Sequence, residues 1–203
     1  MAREVVCISH ATGSDGEEVG RLVAERLGFS YVDEEVIARA AQEGGVDEAA
    51  IADAERRKPL FAGLLDYLAG GETTGPEPIA PHDDIQSEAL RGLIRDAIRE
   101  VASRGRVVIV AHAASHAIGA DERALRVLVT APADTRARRI SEERGVTGPE
   151  GAKLVKTSDA GRVDYLKRFY GVAQEVPTQY DLVVNTETLS PEYAAALIAE
   201  AAS

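Results

Sequence analysis

One stretch constrains the fold more than any other: Val5-Val6-Cys7-Ile8-Ser9-His10-Ala11-Thr12-Gly13-Ser14-Asp15-Gly16-Glu17-Glu18-Val19. An apolar run ends in a glycine-bearing loop, and the loop runs straight into a helix pattern. A helix beginning there leaves its first N–H groups without intrahelical acceptors, and its dipole adds partial positive charge, so the turn attracts anions. The chemistry departs from a Walker loop, G-x-x-x-x-G-K-[ST], whose lysine reaches the β- and γ-phosphates. No lysine lies between Met1 and Arg57, and Glu17 and Glu18 stand where the lysine and hydroxyl are expected. Acids in a first helical turn are favoured by the dipole. The two glutamates therefore read either as helix starters or as groups that hold Mg²⁺ through water.

Three more apolar runs accompany Val5–Ile8, namely Val107–Val110, Leu125–Val129 and Leu182–Val184, with Phe29–Val32 as a weaker one. They do not alternate with polar residues, as expected of parallel strands buried on both faces. Helix-period segments separate them, so the class is α/β. Val19, Leu22, Val23 and Leu27 form the apolar face of the first helix, with Gly28 as its C-cap. A longer helix is predicted from about Ile85 to Ser103, ended by Gly105, with others at 47–57 and 60–69. The last helix opens with Ser190 as cap and Pro191 at its first position. Residues 71–83 hold three prolines and two glycines, so they form a loop.

At 203 residues the chain is long enough for one domain with a sizeable core. The net charge of −11 argues against general nucleic-acid binding. The charge is uneven: residues 1–100 carry 10 basic and 21 acidic side chains, whereas 136–168 carry nine basic and five acidic. The basic segment reads as an anion-binding element or as a helical face of i,i+4 pairs, Arg136, Arg138 and Arg139 with Glu142 and Glu143. No apolar run approaches the roughly 20 residues that span a bilayer, and no secretory leader is recognisable at the N-terminus. The single Cys7 excludes an internal disulfide and suits a reducing cytoplasm. His10 and His112 end two strands at the edge where open α/β sheets bind ligands. Zinc is not expected there, since no cysteine or second carboxylate stands at matching spacing; no metal-ligating residues are assigned.

Taken in order, these segments resemble the cytidylate kinase-like family, a branch of the P-loop nucleoside monophosphate kinases. The resemblance is carried by Ile8-Ser9-His10 through Gly16, by Leu27–Asp33, and by Val107–His112. Further on it is carried by Ala131-Pro132-Ala133-Asp134-Thr135-Arg136-Ala137-Arg138-Arg139, by Lys156–Tyr165 and by Tyr180–Thr186. It implies a three-layer P-loop kinase fold: a five-stranded parallel sheet with helices on both faces, a small acceptor subdomain and a helical lid. The whole of 1–203 is then one domain, with the acceptor-side insertion at about 34–84 and the lid at about 136–172.

The resemblance also implies roles. Gly13, Ser14, Asp15 and Gly16 match the phosphate loop, although relatives tend to carry a further glycine where Asp15 stands. Asp33, Arg39, His112 and Asp159 fall at acceptor-side positions, His112 where relatives have arginine. Arg138, Arg139 and Arg162 match lid arginines over the transferring group. Asn185 and Thr186 match the turn near the donor base. The implied activity is transfer of a phosphoryl group from ATP, with Mg²⁺, to CMP, dCMP or a similar acceptor. The implied partner is a small-molecule nucleotide; a membrane or nucleic acid is not expected, and a homodimer is compatible. The missing lysine, and histidines in place of two arginines, leave a second reading open: a nucleotide-binding or regulatory protein that keeps the fold but not the chemistry.

Overall fold

The computed structural model describes residues 2–33, 92, 95–111 and 113–203. Five parallel strands form one sheet: β1 (Val5–His10), β2 (Ser30–Asp33), β3 (Val107–Val110), β4 (Ala124–Thr130) and β5 (Leu182–Asn185). The described helices are α1 (Gly16–Leu27), α2 (95–103), α3 (Ala114–Ile118), α4 (Ala133–Arg144), α5 (Gly148–Tyr170) and α6 (Pro191–Ala202). The predicted helices at 47–57 and 60–69, the 71–83 loop, the acceptor-side insertion, Arg39 and His112 lie outside the described residues.

The strand order is β2-β3-β1-β4-β5, with β1 central. Val5–Ile8 pair with Val107–Val110 on one side, and Val5–His10 with Ala124–Val129 on the other. The apolar runs fill both faces. Val6, Ile8, Val108, Val110, Val127 and Val129 pack with Val19 and Val23 of α1 and Ala194, Ala195 and Ile198 of α6. On the opposite face Val5, Cys7, Val107 and Ile109 pack with Ile98 of α2 and Ala114 and Ala117 of α3. Cover on both sides excludes water from the inner strands β1 and β3, which explains the absence of alternation there. Burial pushes the Cys7 thiol far above its ordinary pKa, so it is a small core hydrophobe rather than a nucleophile.

Two of the predicted caps, Gly28 and Ser190, are present, and Thr147 adds one that was not predicted. Gly28 adopts φ 63° and returns its N–H to Ala24 and Glu25. The Ser190 side chain accepts from the Tyr193 N–H at 3.3 Å. At the start of α5 the Glu150 carboxylate accepts from the Thr147 N–H at 2.8 Å and from the Thr147 hydroxyl at 2.7 Å. Strand order reverses about β1, so the crevice at its carboxyl end is where this class of sheet binds ligands.

Candidate functional site

The loop 11–15 leaves the carboxyl end of β1 and feeds α1. Gly13 has φ 78°, a conformation glycine enters without steric penalty. Asp15, the residue before α1, is also left-handed at φ 59°, and its side chain makes no cap hydrogen bond. Ser14 is fully buried. Its hydroxyl lies 2.6 Å from the Ala11 carbonyl and 3.1 Å from that of Val129, which ties the loop to β4. Gly16 has a packing reason for being glycine, because a Cβ there would collide with the His10 side chain. Among the described residues, the N–H groups of Gly13, Asp15, Gly16, Glu17 and Glu18 bond to no protein acceptor. Donors of this kind at a helix start are what an anion requires.

The arginine-bearing pair α4–α5 lies directly on this loop. A Cβ at Gly13 would come within 2.9 Å of the Arg136 carbonyl and 3.1 Å of Ile140 Cδ1, so loop and helix meet backbone to backbone. Arg136 grips Asp159 with two bonds of 2.8 Å, donates to the Ala131 carbonyl at 2.9 Å and reaches the Thr12 carbonyl at 3.3 Å. Thr12 Oγ1 lies 2.6 Å from Ser158 Oγ. Arg139 contacts Asp15 at 3.0 Å and donates to the Thr186 carbonyl at 2.6 Å and to Thr186 Oγ1 at 3.2 Å. Thr186, fully buried, has its hydroxyl 3.0 Å from the Ser14 carbonyl. Arg138 points outward and pairs with Glu142 one turn on at 3.4 Å.

Arg162 stands apart from Arg138 and Arg139. Its guanidinium is buried and bonds Glu175 at 2.9 and 2.6 Å and the His10 carbonyl at 3.2 Å. The Tyr180 hydroxyl donates to the same carboxylate and lies 3.4 Å from His116 Nε2. Burial opposes ionisation of Glu175, but hydrogen bonds and charge from Arg162, aided by Tyr180, outweigh it and hold its carboxyl below the ordinary 4.5. Burial also opposes the charge on Arg162, yet Glu175 keeps its pKa above the ordinary value. Burial lowers that of His116.

The structure thus brings Gly13, Ser14, Asp15, Gly16, Arg139 and Thr186 together. Asp159 and Arg162, expected near acceptor and phosphates, each have a salt-bridge partner, Arg136 and Glu175. Asn185 ends β5 and accepts from the Glu187 N–H at 2.9 Å. Asp33 ends β2 at the same carboxyl edge of the sheet. Glu17 pairs with Arg21 in solvent at 3.2 Å, as a helix-starting acid would. Sequence reasoning missed Glu175 and Tyr180. Tyr180 opens a segment that carries the resemblance, but no local pattern marks Glu175, which meets Arg162 only after the chain leaves α5 at Gly171, φ 67°.

A five-stranded parallel sheet in this order, with a glycine-bearing loop before α1 and an arginine-bearing helix pair against it, defines a P-loop-type kinase fold. The sequence profile of the cytidylate kinase-like family matches residues 5–188, and the chain belongs to that family. It is 26% identical over 189 residues to a cytidylate kinase of Ignicoccus hospitalis, covering 93% of this chain and 92% of that protein. It is 29% identical over 144 residues to a cytidylate kinase of Pyrococcus horikoshii, covering 70% and 72%. A crystal structure of an uncharacterized protein from Eubacterium ventriosum superposes with a TM-score of 0.71 at 17% identity, over 98% of both chains. Shikimate kinase from Acinetobacter baumannii in complex with shikimate gives 0.53 at 13%, over 98% and 92%. At such identities the two structures speak to the fold alone. Among the described residues no helix is long and apolar enough to cross a membrane.

Proposed function

We propose that this protein is a nucleoside monophosphate kinase-like phosphotransferase that passes the γ-phosphoryl of ATP to CMP, dCMP or a similar acceptor. The observation that carries the reading is the row of N–H groups from Gly13 and Asp15 to Glu18, unclaimed by protein acceptors and flanked by Arg139. Catalysis of this transfer is mainly positioning and charge neutralisation. The loop amides would cradle the donor phosphates. Arg139 would supply the fixed cation that a loop lysine supplies elsewhere, and Arg138 is exposed enough to reach an anion. Arg162 would act from behind, tying α5 to the end of β1. Asp33, Arg39, His112 and Asp159 would form the acceptor side, with Asn185 and Thr186 near the donor base.

Mg²⁺ would supply charge neutralisation on the polyphosphate. No described group of three His, Cys, Asp or Glu forms a cage for it. The Ser14 hydroxyl is directed at backbone carbonyls. The donor set therefore fits an ion carried by the phosphates, with Glu17 or Glu18 holding it through water. With this reading go nucleotides as partners, a homodimer as the assembly to test by light scattering, and a cytoplasmic location.

The deciding experiment is turnover. Purified protein with ATP, Mg²⁺ and CMP, dCMP or UMP should release ADP at more than about 1 s⁻¹. One observation favours the second reading, a nucleotide-binding or regulatory protein: Arg136, Arg139 and Arg162 are each paired with a carboxylate. Nucleotide binding without turnover would select it.

A further inference from the structure

Three ion pairs surround the loop, and burial separates them into two kinds. The Arg136 and Arg162 side chains each keep 7% of their surface, and both also donate to backbone carbonyls. Withdrawing either carboxylate would leave a buried guanidinium without its counter-charge, a strongly destabilising step. The pair of Arg139 with Asp15 keeps 21% and 26% exposure and rests on a single 3.0 Å ion-pair contact. Arg139 is otherwise fixed by Thr186, so Asp15 can leave without moving it. Asp15 also occupies a left-handed backbone position while its side chain caps nothing. Its carboxylate is spent on Arg139 instead.

We propose that the Asp15 carboxylate is a built-in competitor of polyphosphate: it occupies Arg139 as an anionic ligand would, and a nucleotide enters by displacing it. The inference rests on the phosphate-site reading above and adds a regulation to it. A triphosphate outcompetes the carboxylate because it engages Arg139 together with the N–H groups of Gly16, Glu17 and Glu18, which Asp15 does not bond. Affinity is thereby set lower than the cradle alone allows, and only ligands with several phosphate oxygens gain entry.

The test is calorimetric titration of the full chain with ATP and with inorganic tripolyphosphate. The variants are Asp15→Asn and Asp15→Gly, both suited to a positive φ, with thermal melts to confirm folding. Asp121→Asn, at the opposite edge of the sheet, removes one charge elsewhere. Both Asp15 variants should bind both probes tighter by about tenfold, less so at high salt, and Asp121→Asn should stay within about twofold. An Asp15 variant that matches the wild type, or binds more weakly, overturns the competitor role while leaving the nucleotide site standing. Absence of ATP binding in every protein, wild type included, overturns both readings.

Discussion

Glu175 is the test of whether Arg162 is a cross-link. Replacing it with Gln keeps the shape and removes the charge that answers a guanidinium of 7% exposure. Deleting one partner of a buried pair costs about 3–5 kcal/mol. Glu175 keeps 20% exposure, so water relieves part of the loss and the lower end, about 3 kcal/mol, applies. For a chain of this size each kcal/mol moves Tm by about 2–4 °C, so the melt should fall by about 6–12 °C. The pH dependence supplies a second readout. The folded pKa of Glu175 lies below 4.5. Its stabilisation is therefore present above that value and is lost as pH falls through the folded pKa. Glu175→Gln should make the acid-side decline of stability shallower, with the Asp181–Arg126 pair still contributing in the same direction. The double variant Glu175→Gln/Arg162→Met should lose less than the two single losses added together, because no charge is stranded. A denaturant series showing a loss below about 1 kcal/mol for Glu175→Gln, with an unchanged acid slope, would refute the cross-link.

Gly151→Ala should destabilise by about 1–3 kcal/mol, because the new Cβ meets Ser141 and lies 2.6 Å from the Ala137 carbonyl; Ser141→Ala in the same chain should not restore the melt fully. Thr147→Ala should cost about 1 kcal/mol by chemical denaturation through loss of the hydroxyl bond to Glu150 at the start of α5. Without Mg²⁺, Glu17→Lys should tighten ATP binding in fluorescence titration; unchanged affinity would mean that the loop is not at the phosphates. Arg39→Ala should weaken CMP binding by about 2 kcal/mol, as for a lost charged hydrogen bond, and a change below about 0.3 kcal/mol would remove it from the acceptor site.

The sheet was legible because its inner strands are apolar on both faces, and Val107–Val110 matches the observed strand residue for residue. Other strands run on to polar ends, His10, Thr130 and Asn185. There the backbone ladder continues after the apolar pattern stops. The short turn of helix at Pro177–Gln179 carried no periodicity to read. Helix ends were readable from Gly28 and Ser190, whose cap chemistry is local. The loop was visible for the same reason. Its ion pairs were not. Of the pairings expected with Glu142 and Glu143, Arg138 with Glu142 forms, since i,i+4 spacing fixes it. Arg136 and Arg139 turn inward, to Asp159 on α5 and Asp15 on the loop. Only the packing of α4 on the loop decides those partners.

That packing has a mechanical consequence. With the Arg136 carbonyl seated where Gly13 admits no side chain, the glycine turn and α4 share one rigid joint. Any force that tilts α4 is delivered undamped to the amides that would meet the donor. Substituents far out on that helix should then register as altered ligand grip.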